Sequence, residues 1–244
     1  METRQPVMKP PVIEPVYGAP LIGCDDRYED RAMAGRRLAS TLKRFRGAHA
    51  IVLAIPPGGV AVGGELARSL RLGVDVIVTR EFRVRAHPAI AAGAISESGG
   101  LCLNGAILRL PGVTPTIVWD VIRAEQSNLP DLIQLYRQGR PLPLDIRRPI
   151  ILVDDGLNSG LAQLAALQAL RRYHPVACIL ATPRADPSIL SIVRPWVDDA
   201  VTLDLHPSSA AQAVDGWQTP LSDDDAAVLL QRYQIHTSLQ GINA

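Results

Sequence analysis

Residues 150–160, Ile-Ile-Leu-Val-Asp-Asp-Gly-Leu-Asn-Ser-Gly, constrain the fold more than any other stretch, because four apolar residues run straight into two carboxylates and a loop of small residues. A short continuous apolar run suits a strand buried on both faces, which is the habit of parallel sheets. Asp154 and Asp155 would then emerge at the carboxyl end of that strand, where open α/β sheets place their ligands. Gly156 and Gly160 permit close backbone approach, and Ser159 offers a hydroxyl. The helical pattern over residues 161–172 would aim its amino end at an anion. Such a loop suits sugar hydroxyls beside a phosphate. A plainer reading stands beside it: strands of doubly wound folds also end in acids simply because their ends meet water.

The surrounding pattern alternates strand and helix. Residues 50–55 read as a buried strand, Pro56-Pro57-Gly58-Gly59 as a sharp turn, residues 60–71 as a helix and residues 74–79 as a second strand. That βαβ order calls for a right-handed crossover and a parallel pair. Residues 89–95, then Leu101 and Leu103 after Ser98-Gly99-Gly100, suit a hairpin projecting from the sheet. Residues 115–137 are helical in pattern, with a break or kink expected before Asp131 because Pro130 lacks an N–H. Strands at 176–181 and 200–205 and a short helix at 187–193 follow, and Ser222 caps a final helix whose first turn carries Asp223, Asp224 and Asp225. From Asp25 or Asp26 through Arg44 the pattern reads as an earlier helix. Pro6, Pro10, Pro11, Pro15 and Pro20 make residues 1–24 an extended arm, a candidate protein-binding segment. The expected division is an arm at 1–24, one domain at 25–233 and a tail at 234–244.

Composition narrows the function. Net charge is +1, with no basic run or aromatic ladder, so nucleic-acid binding lacks its electrostatic footprint. The longest apolar runs are too short to span a bilayer, and the amino end lacks a secretory h-region, so a cytoplasmic protein is expected. Cys24, Cys102 and Cys178 are far apart and read as buried thiols, and the five histidines form no i,i+4 pair, so no metal site is indicated. Lysine occurs only at Lys9 and Lys43, which leaves arginine to supply any cationic chemistry. The absence of Gly-Lys-Ser or Gly-Lys-Thr excludes a Walker P-loop. A receiver-like module fits poorly, because the acidic pair comes late in the chain and the later lysine is missing.

Asp154-Asp155-Gly156-Leu157-Asn158-Ser159-Gly160 resembles the phosphoribosyl pyrophosphate (PRPP) motif of type I phosphoribosyltransferases. The likeness extends over most of residues 25–233. Asp26-Arg27 with Ala34-Gly35, Ile55-Pro56-Pro57-Gly58-Gly59-Val60, Thr79-Arg80-Glu81-Phe82, Gly93-Ala94-Ile95, Leu103-Asn104, the segment from Tyr136 to Pro141, and Val214-Asp215-Gly216-Trp217 fall where a bacterial subgroup of that family has its own motifs. The resemblance implies an α/β, doubly wound, mostly parallel sheet with a small hairpin and hood region. It also implies a homodimer. It assigns Asp154, Asp155, Gly156, Asn158, Ser159 and Gly160 to the ribose and 5'-phosphate, Pro57, Gly58 and Gly59 to the pyrophosphate loop, and Arg80 to catalysis, with Mg2+ only if PRPP is bound.

The departures from the family pattern fall on groups that should touch phosphate. Pro57 stands where the subgroup has an arginine, removing a guanidinium and an N–H, although an X-Pro bond can still take the cis form that this loop commonly holds. Glu81 stands in place of a lysine. Ala162 stands in place of a second threonine, with Asn158 as partial compensation. The expectation is therefore a phosphoribosyltransferase-like protein, weakly active or non-catalytic, serving a binding, regulatory or assembly role with PRPP or a nucleotide as ligand. The alternative is an active PRPP-dependent transferase acting on a nitrogenous acceptor.

Overall fold

The computed structural model describes residues 31–143, 148–206 and 220–239. The Pro-rich arm with Cys24, residues 25–30 of the expected first helix, Val214-Asp215-Gly216-Trp217 and residues 240–244 of the tail lie outside the described residues. The first helix, α1, spans Arg31–Thr41. Strand β1 (Ile51–Ala54) leads through Pro56-Pro57, joined by a cis peptide, into α2 (Gly58–Leu70) and β2 (Gly73–Val76). Helix α2 begins two residues before the sequence pattern suggests, so Gly58 and Gly59 belong to its first turn.

The segment expected as one strand over 74–79 divides in two. β2 ends at Val76, and Thr79–Phe82 forms β3 of a separate antiparallel sheet with β4 (Gly93–Ser96) and β5 (Gly100–Leu103). A buried ion pair holds the joint. Glu97 accepts from the Val78 N–H at 2.7 Å and from both terminal nitrogens of Arg137, one of which also donates to the Val76 carbonyl at 3.0 Å. Both side chains are almost wholly buried, so the charges are matched in the only way that burial tolerates.

Helix α3 (Pro115–Arg137) carries Arg137 at its last turn and runs unbroken through Pro130. The expected break is absent because Pro130 and Gln126 are both exposed, so water can satisfy the carbonyl that the proline leaves without a donor. Next come β6 (Ile150–Val153), α4 (Leu161–Arg171), β7 (Cys178–Ala185), α5 (Pro187–Val193), β8 (Asp199–Leu205) and α6 (Asp223–Leu239). Strand β7 starts two residues later than expected and runs four residues further. Ser222 caps α6 by accepting the Asp225 N–H at 3.2 Å.

The main sheet is parallel throughout, in the order β2-β1-β6-β7-β8. Side-chain alternation divides the core between its two faces. Val52, Ala54, Ile151 and Val153 point into a cluster with α1, α2, α3 and α6, whereas Ile51, Leu53, Ile150 and Leu152 meet α4 and α5. This is a doubly wound α/β fold, burying both faces of each central strand. No helix among the described residues is long and apolar enough to cross a membrane. Cys178 is buried, and its thiol is pushed up to about 12, chiefly by that burial, whereas Cys102 is only half-buried.

Candidate functional site

Strand order fixes where a site can form. The chain leaves β1 toward β2 on one side and returns to β6 on the other, so the loops after β1 and β6 diverge and leave a crevice at the carboxyl ends of this neighbouring pair. Pro57, Gly58 and Gly59 follow β1, and Asp154 to Gly160 follow β6. The two loops touch through glycine. A Cβ placed on Gly58 would lie 1.9 Å from Asp155 Oδ2, and one on Gly59 would lie 2.8 Å from the Val153 carbonyl oxygen. Any side chain at Gly58 would displace the carboxylate.

Each acid is held by a different partner. Asp155 Oδ2 accepts from Arg31 Nε at 2.9 Å, and the Arg31 side chain is only 13% exposed. Asp154 Oδ1 accepts from the Asp155 N–H at 2.8 Å. Its Oδ2 accepts from Gln163 Nε2 at 2.5 Å, and the same amide reaches the Gly156 carbonyl at 3.2 Å. Enclosure raises the Asp154 carboxyl well above the usual carboxylate range, and the nearby charges of Asp155 and Glu81 push the same way against the Asp155 N–H. A carboxyl that tends to keep its proton can both donate to and accept from sugar hydroxyls.

The loop then turns into α4. Gly160 adopts φ +73°, and a Cβ there would strike Ile189 at 2.7 Å, so glycine fits this turn on both counts. Ser159 Oγ accepts from the Leu161 N–H at 3.1 Å and donates to Glu81 Oε1 on β3. Asn158 is exposed. The loop is also tied to β7, since the Leu157 N–H donates to the Arg184 carbonyl at 2.9 Å and the Asp186 N–H donates to the Leu157 carbonyl at 3.1 Å.

Arg80 and Glu81 go separate ways, as neighbours on a strand must. Glu81 looks at Ser159. Arg80 is paired with Asp223 in the first turn of α6, where Tyr136 also donates its hydroxyl to Asp223 at 2.6 Å. Thus Gly58, Gly59, Asp154 and Asp155 come together, Ser159 meets Glu81, and Arg80 is engaged at a different place. The Gly59 N–H is already donated to the Ile55 carbonyl at 3.1 Å. Among the described residues, no three or more His, Cys, Asp or Glu side chains are grouped to hold a metal.

Sequence reasoning misses Arg31 and Gln163. Their signals are faint. Arg31 lies one helical turn before Gly35, and Gln163 lies four residues after Ser159, an otherwise ordinary helix position that happens to face back toward the loop.

The phosphoribosyl transferase domain family matches residues 26–190. Two curated relatives from Mycobacterium tuberculosis, of strains CDC 1551 and H37Rv, both provisionally named phosphoribosyl transferases, are 33% identical over 208 residues. Those matches cover 84% of this chain but 46% of each relative, so the chain spans less than half the length of the curated relatives it matches. The crystal structure of TT1426 from Thermus thermophilus is 27% identical, covers 85% of this chain and 99% of its own, and superimposes with a TM-score of 0.66. On the family match across most of its length, with the paired acids at the strand crevice, this chain belongs to the phosphoribosyl transferase domain family.

Proposed function

We propose that this chain keeps the ribose-recognition half of a phosphoribosyltransferase site and has lost much of the pyrophosphate half, so that it acts as a weakly active or non-catalytic binding component. The observation that carries this reading is the split at β3. Arg80 is committed to Asp223, while Glu81 faces the loop. Pro57 brings neither a guanidinium nor an N–H to the neighbouring loop. Charge-assisted hydrogen bonds are worth about 1.5–3 kcal/mol each, so two or three missing ones lower transition-state binding by several orders of magnitude. Mg2+ belongs to this proposal only as a companion of PRPP. Asp155 is neutralised by Arg31 and Asp154 favours its proton, so the phosphate oxygens of the ligand would be the hard anions that draw the cation.

Pyrophosphate release from PRPP and Mg2+, followed with a panel of nitrogenous acceptors, tests the reading. The expected rate lies far below the ~1–1,000 s⁻¹ of ordinary enzymes. Turnover within that range, abolished by Asp155→Asn, overturns it. The second reading, an active transferase, is favoured by the close fit of Gly58 on Asp155, which preserves the shape of the paired loops. It requires Arg80 to leave Asp223 when PRPP binds. Regulation or assembly through the Pro-rich arm, and a homodimer, complete the proposal. Light scattering of the full chain and of a chain lacking residues 1–24 checks both.

A further inference from the structure

Glu81 on β3 and Ser159 in the loop after β6 are 78 positions apart, yet their side chains meet at the amino end of α4. That is the position at which a loop of this kind presents its hydroxyl to an anion. The hydroxyl is already given away. Ser159 donates to Glu81 and accepts the Leu161 N–H, the Gln163 amide is spent on Asp154 and Gly156, and Ala162 has nothing to offer. A carboxylate at a helix amino end is favoured by the helix dipole and by the unpaired N–H groups of the first turn. Glu81 therefore supplies from within the chain the negative charge that a 5'-phosphate would bring.

Accepting the ribose reading above, we infer that this pocket selects an unphosphorylated riboside, a nucleoside or free ribose, over its 5'-phosphate, with Glu81 as the residue that sets the preference. A phosphate brought to Ser159 meets a like charge and must expel Glu81 from its hydroxyl. A 5'-hydroxyl does the opposite. It donates to the carboxylate, while the ribose hydroxyls meet Asp154 and Asp155 as they would in a phosphorylated ligand. Arg83, the cation paired with Glu81 among the described residues, offsets the repulsion only weakly, standing 3.9 Å from the other carboxylate oxygen with half its side chain in water. The preference rests on one position, and a single substitution inverts the sign of its charge.

Calorimetry on the full chain with matched pairs, adenosine against adenosine 5'-monophosphate and ribose against ribose 5-phosphate, reads the preference directly. The expected result is about tenfold or more tighter binding of the unphosphorylated member, the order of difference that a partly buried like-charge contact produces. Glu81→Gln should shrink that ratio toward unity and Glu81→Lys should reverse it. Circular dichroism melts confirm that each variant folds, and should Glu81→Lys fail to fold, Glu81→Gln decides alone. Tighter binding of the 5'-phosphates by the unaltered protein, or an unchanged ratio in Glu81→Gln, overturns the inference and leaves the ribose reading standing. Failure of all four compounds to bind at millimolar concentration overturns both.

Discussion

Arg31 and Asp155 stand 124 positions apart and share a hydrogen bond of 2.9 Å between Nε and Oδ2. The contact exists because two glycines allow it. Gly35, one turn beyond Arg31, lies so close to α2 that a Cβ would sit 2.4 Å from the Val62 carbonyl oxygen, and α2 itself begins at Gly58, against Asp155. Helix α1 is thereby laid on α2 with its first residue over the acid. The same packing that completes the core brings a guanidinium onto the crevice acid.

Arg31→Ala removes the guanidinium and leaves Asp155, 22% exposed, without that partner. A charge-assisted hydrogen bond in this setting contributes about 1.5–3 kcal/mol, discounted toward the lower end because water reaches the pair. The variant should unfold at lower urea concentration with an unchanged m-value and bind ribosides more weakly. Equal midpoints for variant and parent would show that the pair contributes nothing to stability.

Gly58→Ala tests the loop contact without touching the core. The added methyl meets a side-chain carboxylate, which can swing away at modest cost to folding. Stability should fall by less than the ~1–3 kcal/mol of a core overpacking, while riboside affinity collapses because Asp155 is displaced. Retained affinity would place the ligand elsewhere.

The raised Asp154 carboxyl gives a pH signature of definite sign. An aspartate in the unfolded chain titrates near ~3.9, whereas the folded protein holds this proton to higher pH. Above the unfolded value the folded state therefore binds more protons, and its stability declines as pH rises through the folded value. Asp154→Asn lacks that decline. Its melting temperature should differ least from the parent near pH ~4 and exceed it by a growing margin toward neutral pH; a constant gap would show that Asp154 titrates normally.

Glu97→Gln disrupts the joint between the two sheets. It removes the ion-pair partner of the almost fully buried Arg137, and breaking a buried pair on one side costs about 3–5 kcal/mol. Arg137→Met should cost comparably. The double variant Glu97→Gln, Arg137→Met should recover part of the loss, since the amide oxygen introduced by Glu97→Gln can still accept the Val78 N–H. Strict additivity in this cycle would mean that the two residues do not act as a pair.

Much of this fold is legible along the chain because its signals are local. The apolar run at Ile150–Val153 forms the buried strand it suggests, Asp154 and Asp155 emerge at its end, and α4, α5 and α6 form close to where their patterns place them. Burial on two faces, helical periodicity and the Ser222 cap each depend on neighbours within a few residues. The misjudged boundaries fail for the converse reason. Pro130 stays within α3 because its turn faces water, and the strand expected over 74–79 divides because Glu97 and Arg137, distant in sequence, bind the backbone at the joint.

The site divides along the same line. Sequence by itself pointed to a paired acid and a glycine loop after a central strand, and the family resemblance implied that Pro57, Glu81 and Ala162 stand where groups suited to phosphate are expected. Only the tertiary structure placed Arg80 and Glu81 on one strand, Thr79–Phe82, where a period of two makes them face opposite ways. Only the tertiary structure decided which of them looks at Ser159, that Asp223 takes Arg80, and that Arg31 and Gln163 secure the two acids. Those outcomes depend on how separate elements dock, and docking is set by the summed packing of the whole core rather than by any stretch of chain short enough to read as a motif.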